Sequence, residues 1–343
     1  MGFNLKETTA LLADFEFVST STSSFNETWQ MPWGEQLNVV NNYNELKVEL
    51  QETSNLKRKL NIIFRVFDDG IGFRYEFPEQ ENLKEVFITD ENTQFNLTGD
   101  HKVWWTPGDW DIYEHLFNTT SFSKIDALQF ANHENLAQTY IPNNAVNTPV
   151  TMKTKSGLHL SFHEAALVDY ADMTLKVDTT NFTMTSGLVG SENRDYKVVR
   201  TVPFETPWRT IQIAEKAGDL IESKLIVNLN EPNKLGDVSS WVKPTKYMGI
   251  WWEMHLGKST WDMSAQQDMT SHTTEAKPHG KHGATTENAK AFIDFSSKNN
   301  IGAVLVEGWN TGWEHWIGFE DREGVFDFVT PYSDYDLKEV VRY

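Results

Sequence analysis

The sequence contains no cysteine in 343 residues. Disulfides, cysteine-ligated zinc and thiol nucleophiles are excluded outright. Positive charge is also scarce: 30 Lys and Arg face 49 Asp and Glu, a formal charge of -19. Phosphate backbones and anionic membrane surfaces would be repelled by such a chain, so nucleic acid is not an expected partner. No segment approaches the ~18 consecutive apolar residues of a membrane span, and no membrane insertion is expected. The opening MGFNLKETTALLADFEF has no basic stretch leading into a continuous apolar one, so it does not read as a signal peptide. A start of Met-Gly can signal myristoylation, but position 6 is Lys where that motif needs Ser or Thr.

Aromatic residues, by contrast, are plentiful. They make up 13% of the chain and include 13 Trp, within a hydrophobic fraction of 39%. That composition is globular, and indoles supply flat apolar faces with a polar edge. The length favours two domains, with ample chain for a sizeable core.

Residues 1–235 read as β structure. The stretches FEFVST, NELKVEL, LNIIFRVF, GFRYEF, VTMKT, LHLSFHEAAL, KVVRTV, RTIQIA and SKLIVNL are short and mostly alternating, which predicts a β-sandwich. Asp68-Asp69-Gly70 between two of them is a hairpin signal, because Asp-Gly tolerates positive φ. A polar, Gly- and Pro-containing stretch, NEPNKLGDVSSWVKPTK, then interrupts the pattern as a linker would. Residues 236–343 follow a different rule. YMGIWWEM and IGAVLVEGW are continuous apolar runs of strand length. Between them TTENAKAFIDFSSKNN predicts a helix with Ala289, Phe292, Ile293 and Ser296 on one face, and SDYDLKEVVRY predicts another, capped by Ser333 or Asp334. Strand, helix, strand, helix with apolar strands means a parallel sheet covered on both faces.

Chemistry in parallel α/β folds gathers at the carboxyl ends of the strands. Glu253 and Glu307 occupy such ends, and Trp251, Trp252, Trp309, Trp313 and Trp316 surround them. Indole faces suit the C–H faces of sugar rings while carboxylates hold hydroxyls; equally, the indoles can fill core space and the acids can cap helices or pair with Lys258. The loop 255–284 carries His255, His272, His279 and His282. A zinc hydrolase is the rival reading of that loop, but the spacing fits no H-E-x-x-H pattern, and solvated histidines or donors to substrate hydroxyls suit it better. In HEAALVDYADM, Glu164 is a strand residue followed by Asp169 and Asp172. Glu164 reads either as an oxygen ligand to a hard cation or as a surface residue or partner of Lys or Arg. WWTPGDWDIYEH, with Trp104, Trp105, Trp110, Asp109 and Asp111, is a packing corner or a rim contact.

Long blocks of the chain resemble glycoside hydrolase family 97: FNETWQMPWGEQLNVVNNYNELKV, DDGIGFRYEFP, LHLSFHEAALVDYADMTL, TPWRTIQI, KYMGIWWEMHLGKSTW, KHGATTENAKAFIDFSSKNNIGAVLVEGWNTGWE and FDFVTPYSDYDLKEV. That family comprises bacterial α-glucosidases and α-galactosidases. The resemblance implies an N-terminal β-supersandwich in 1–235 and, in 236–343, the first two βα units of a catalytic (β/α)8 TIM barrel. It implies a Ca²⁺ ion with Glu164 as one ligand, an oligosaccharide substrate contacted by Glu307, Trp251, His255 and Trp309, and a periplasmic parent enzyme. It also implies that the chain is cut at both ends, that the catalytic acids lie downstream of Tyr343, and that the 343 residues are inactive alone. A non-catalytic carbohydrate-binding fragment is the alternative the same residues allow.

Overall fold

The computed structural model describes residues 1–110, 112–113, 115–131, 141–191, 194–255, 258–259, 261, 282–313, 324 and 326–343. Those up to Gly236 form one compact unit and those from Asp237 onward a second.

The first unit is a β-sandwich. Its large sheet runs, in spatial order, Phe15–Gln30, Asn38–Glu52, Lys59–Phe67, Gly70–Phe77, Trp208–Ala214, His159–Ala165, Val150–Lys153, Lys102–Trp105 and Asn118–Ser121, with Phe204–Glu205 pairing beside Gly70–Phe77. Every ladder in it is antiparallel. Two smaller sheets pack on it. Phe3–Leu5, Glu85–Glu91 and Val198–Thr201 share one core with Leu60, Ile62, Tyr75 and Phe77 of the large sheet. Ala145–Val146, Met173–Asp178, Thr183–Leu188 and Gln94–Asn96 share a second core with Val103, Val150, Met152 and Phe162. Successive side chains of a strand point to opposite faces. Thus Ile62 enters the inter-sheet core while Ile63 and Phe67 turn the other way, where Trp208, Leu225 and Leu229 cover them. Because both faces are covered there, Ile62, Ile63 and Phe64 are apolar in succession and depart from strict alternation.

Two local expectations are corrected here. SKLIVNL is not a strand: Ala217–Glu222 and Leu225–Asn228 are helical. The carboxylate of Asp69 accepts from Ser223 Oγ at 2.6 Å, Lys224 N at 2.9 Å and Leu225 N at 3.2 Å, satisfying amides that open the second helix from a hairpin far away in sequence. The hairpin itself forms, but its two loop residues are Asp68 and Asp69, and Gly70 stands in the ladder opposite Phe67. Gly70 has φ +153°, and a Cβ there would lie 2.3 Å from the Ile211 carbonyl oxygen.

In the second unit Tyr247–Gly249 and Ala303–Leu305 pair in parallel, Met248 opposite Val304. The strands stop sooner than the apolar runs do, because Glu253 N donates to the Ile250 carbonyl and the chain turns into the short helix Trp252–His255. The helix Thr286–Lys298 buries Ala289 and Ser296 as its periodicity predicts, and Thr285 caps it by accepting from Asn288 N at 3.2 Å. The helix Leu337–Arg342 is capped by Asp336, not by Ser333 or Asp334. Asp336 accepts from Glu339 N, whereas Asp334 is turned toward His282. Ile250, Trp261, Ala284 and Tyr332 make the unit's core. Tyr247 and Leu305, on the parallel pair, stay 61% and 43% exposed. Among the described residues no helix is long and apolar enough to cross a membrane.

Candidate functional site

The expected site residues fall into two groups, one in each unit. In the sandwich, Glu164 occupies the strand His159–Ala165 directly opposite Arg209 of Trp208–Ala214. Glu164 is 6% exposed, and Arg209 and Glu91 are fully buried. The Arg209 guanidinium donates to both oxygens of Glu91, from Nε at 2.8 Å and Nη2 at 2.6 Å, and from Nη1 to Glu164 Oε2 at 2.5 Å. The other Glu164 oxygen accepts from Met173 N at 2.9 Å. Thr93 and Tyr170 complete the Glu91 carboxylate at 2.7 and 3.2 Å. The strand pairing explains the encounter, since 164 and 209 are cross-strand neighbours pointing into the same interior.

One guanidinium therefore serves two carboxylates, and one negative charge is left over. The imbalance divides the two acids. Burial pushes the Glu91 carboxyl up, yet the charge and hydrogen bonds of Arg209 outweigh it and hold that carboxyl below its ordinary range. For Glu164 burial wins over the pull of Arg209, and its carboxyl is raised. Asp172, an acid that adds to this effect, is itself raised by burial, and Tyr113 OH donates to it at 3.4 Å. Asp169 instead pairs with Arg200 on the exposed side. Calcium takes roughly six to eight oxygen ligands. Among the described residues no group of three or more His, Asp or Glu could hold a metal ion. Glu164 offers the right donor chemistry for one ligand, and the described residues do not compose a calcium site by themselves.

In the second unit the indoles are mostly packed. Trp251 is half-buried against Trp261 and Trp313, with ring centroids 4.5 and 5.5 Å away. Trp309 is half-buried beside Tyr335 at 5.7 Å. Trp252, on the next helix, is 65% exposed. Glu307 follows the strand Ala303–Leu305 and is half-buried, its carbonyl accepting from Trp261 Nε1 at 2.9 Å. Glu253 does not stand at a strand end. It lies on the helix Trp252–His255 and accepts from Ser259 Oγ at 2.6 Å and Asn288 Nδ2 at 3.0 Å, tying that helix to Thr286–Lys298. His255 ends the short helix, but its side chain, like His272, His279 and Trp316, lies outside the described residues. His282, the remaining histidine of the zinc reading, is engaged with Asp334 and with the Gly308 carbonyl. Trp251 and Trp309 thus pack in one cluster past the carboxyl ends of the parallel pair, and Glu307 meets that cluster through its carbonyl on Trp261.

WWTPGDWDIYEH resolves as a packing corner at Trp105 and Asp109. Trp105 is 1% exposed and donates to Thr120, while Asp109 is buried against His115 Nε2 at 3.1 Å. Sequence reasoning missed Arg209 and Glu91. The available signal was an arginine inside the strand WRTIQIA, where a buried charge demands a buried partner.

Comparison with known proteins follows the same division. The family description "Glycosyl-hydrolase 97 N-terminal" matches residues 1–232, and "Glycoside hydrolase 97" matches residues 251–343. A solved glycoside hydrolase family 97 enzyme from Pseudoalteromonas sp. strain K8, in complex with panose, is 40% identical with a TM-score of 0.76. Its complex with acarbose gives 39% and 0.74, and in both cases all of this chain covers 46% of the other. A retaining α-galactosidase of Bacteroides thetaiotaomicron is 24% identical over an alignment 341 residues long that covers 94% of this chain and 45% of that protein. The chain thus spans less than half the length of these relatives. With both profiles matching in order, one on the sandwich and one on the unit holding the parallel pair, the chain belongs to glycoside hydrolase family 97.

Proposed function

We propose that this chain is the sandwich and the first two βα units of the barrel of an α-glycoside hydrolase acting on oligosaccharides. The observation that carries the reading is that Trp251 and Trp309 pack together past the carboxyl ends of two parallel strands, with Glu307 following one of those strands and its carbonyl on Trp261 of the same cluster, where barrel enzymes place their substrate contacts. The Pseudoalteromonas enzyme, at 40% and 39% identity in its two structures, holds panose and acarbose, which are gluco-oligosaccharides or mimics of them, whereas the α-galactosidase is 24% identical. We therefore favour an α-glucoside over an α-galactoside. Glu307 holds substrate hydroxyls, and the half-buried indoles bear on the apolar face of the sugar, with His255 a further contact.

General-acid protonation of the leaving oxygen needs a second carboxyl group placed across the glycosidic bond. In this reading that acid and its partner belong to the part of the family's architecture that follows these two units, and the 343 residues bind sugar without hydrolysing it. Calcium enters only through Glu164, as one donor to an ion whose other oxygens come from outside the described residues. The periplasmic location belongs to the same reading.

Calorimetric titration with panose, alongside an assay of panose hydrolysis, tests it. Binding that is weakened about tenfold in E307Q, with no hydrolysis, is expected from the loss of a charged hydrogen bond. Binding untouched by E307Q would move the sugar away from this cluster, and turnover would place the catalytic pair within the chain. A calcium-dependent rise in melting temperature that E164Q abolishes supports Glu164 as a ligand; a rise that E164Q leaves intact removes it.

A further inference from the structure

We propose that His282 is a positioning residue for Glu307, acting through the backbone of Gly308. The inference deepens the reading of Glu307 as a sugar contact and rests on it for its functional consequence.

Two successive carbonyls just past Ala303–Leu305 are held by side chains distant in sequence. Trp261 Nε1 donates to the Glu307 carbonyl at 2.9 Å. His282 Nε2 lies 3.2 Å from the Gly308 carbonyl oxygen, and His282 Nδ1 lies 2.9 Å from Asp334 Oδ2. His282 is 8% exposed and Trp261 is fully buried. Asp334 is anchored in turn, its own carbonyl accepting from Thr286 N at 3.0 Å and Thr286 Oγ1 at 3.2 Å. A chain of contacts thus runs from the start of the helix Thr286–Lys298 through Asp334 and His282 to the Gly308 carbonyl, in the peptide that follows the one Trp261 holds.

Gly308 shows how tightly that peptide is fitted. Its φ is +81°, and a Cβ would fall 2.2 Å from Trp261 Nε1, so only glycine can pass beneath the indole. The direction in which the Glu307 side chain leaves the backbone depends on the dihedrals flanking it. The hold of Trp261 on the Glu307 carbonyl restrains the dihedral that follows its Cα, and the hold of His282 on the Gly308 carbonyl restrains the next peptide, so the backbone at 307 and 308 cannot turn without breaking one of them. Cross-ring packing keeps the imidazole in place, edge-on to Tyr332 with centroids 5.7 Å apart and to Trp261 at 6.4 Å. An imidazole facing a carboxylate and a carbonyl is a costly way to fill core volume that an apolar side chain would fill more cheaply. It is an economical way to orient a neighbouring group, since a productive contact tolerates an error of only about 0.5 Å.

The test uses the full chain with H282A, D334N, E307Q and the double variant H282A/E307Q. In the absence of sugar, amide NMR relaxation is expected to show new motion at residues 307–309 in H282A and D334N. With panose, H282A is expected to bind roughly threefold to tenfold more weakly, as for loss of one or two hydrogen bonds. In the E307Q background H282A should cost nothing further, because its effect passes through Glu307. A general packing role would lower the melting temperature without confining motion to 307–309, and its cost would add in full to that of E307Q. Either result overturns the proposal. Should H282A fail to fold, D334N decides by the same readouts, since it keeps the shape and leaves the imidazole present. A wild-type chain that does not bind panose defeats the sugar reading alone. The relaxation data still decide whether His282 orders the loop.

Discussion

Each unit ends a strand near a carboxylate, and the two carboxylates are handled in opposite ways. Glu164, near the end of His159–Ala165, is held in the interior by a fully buried guanidinium that also grips Glu91. Glu307, just past Ala303–Leu305, is half-buried, and the backbone there is held at the carbonyls of 307, by Trp261, and 308, by His282. A buried acid needs a counter-charge to exist at all. A partly exposed acid needs only a direction. The cores differ in parallel: the sandwich strand Lys59–Phe67 has apolar cover on both faces, whereas the parallel pair leaves Tyr247 and Leu305 open to solvent.

The sharpest way to break this contrast is to remove the shared counter-charge. R209L leaves Glu91 and Glu164 buried together with no cation between them, and the expected loss is about 3–5 kcal/mol. Urea unfolding followed by tryptophan fluorescence measures it. A loss under about 1 kcal/mol, the scale of an exposed ion pair, would mean that the network does not govern the sandwich.

Much of this architecture is legible in the sequence, and the failures have a common cause. Alternation located the strands of the sandwich because each has one or two covered faces, and unbroken apolar runs located Tyr247–Gly249 and Ala303–Leu305. What pattern could not supply was any interaction spanning a long sequence separation. Leu225–Asn228 looked like a strand because the Asp69 carboxylate that opens its first turn lies 156 residues from Leu225. Glu164 could be narrowed to a cation ligand, a surface residue or an arginine partner, but not joined to Arg209, 45 residues on, or through it to Glu91. YMGIWWEM gives no sign of where a strand yields to a helix, so Glu253 reads as a strand-end carboxylate although it lies on the helix Trp252–His255. Asp336 rather than Asp334 caps the last helix for the same reason: the pull of His282 on Asp334 is invisible in local sequence.

A smaller effect probes the second unit, where local neutral contacts stand in for buried charge. Thr285 caps the helix that covers the parallel pair, accepting from Asn288 N at 3.2 Å. T285A is expected to cost about 1 kcal/mol, the usual worth of such a cap. Hydrogen exchange over residues 286–298 should accelerate while the sandwich amides do not change. Equal acceleration in both units would show that they unfold as one and would erase the energetic distinction drawn between them.

The smallest expected change concerns Glu164 and has a sign that depends on pH. Its carboxyl is raised above the ordinary 4.5, with burial the largest cause. A group that binds its proton more tightly when folded contributes stability that is full below its unfolded pKa and is lost as pH rises through the folded one. Glutamine has the same shape and does not titrate. In metal-free buffer, E164Q should therefore gain on the wild type as pH climbs through and above the ordinary carboxylate range. At neutral pH it should lie within about 1 kcal/mol of the wild type or be the more stable, since it removes the buried charge that Arg209 leaves unbalanced. Glu91, held low by Arg209, gives a slope of the opposite sign, but it is present in both proteins, so the difference between them isolates Glu164 to the extent that the two acids titrate independently. A difference that stays flat with pH, or a loss of several kcal/mol in E164Q at neutral pH, would show that both acids are needed by the guanidinium. In that case the sandwich holds no spare negative charge, and Glu164 has none to offer a cation.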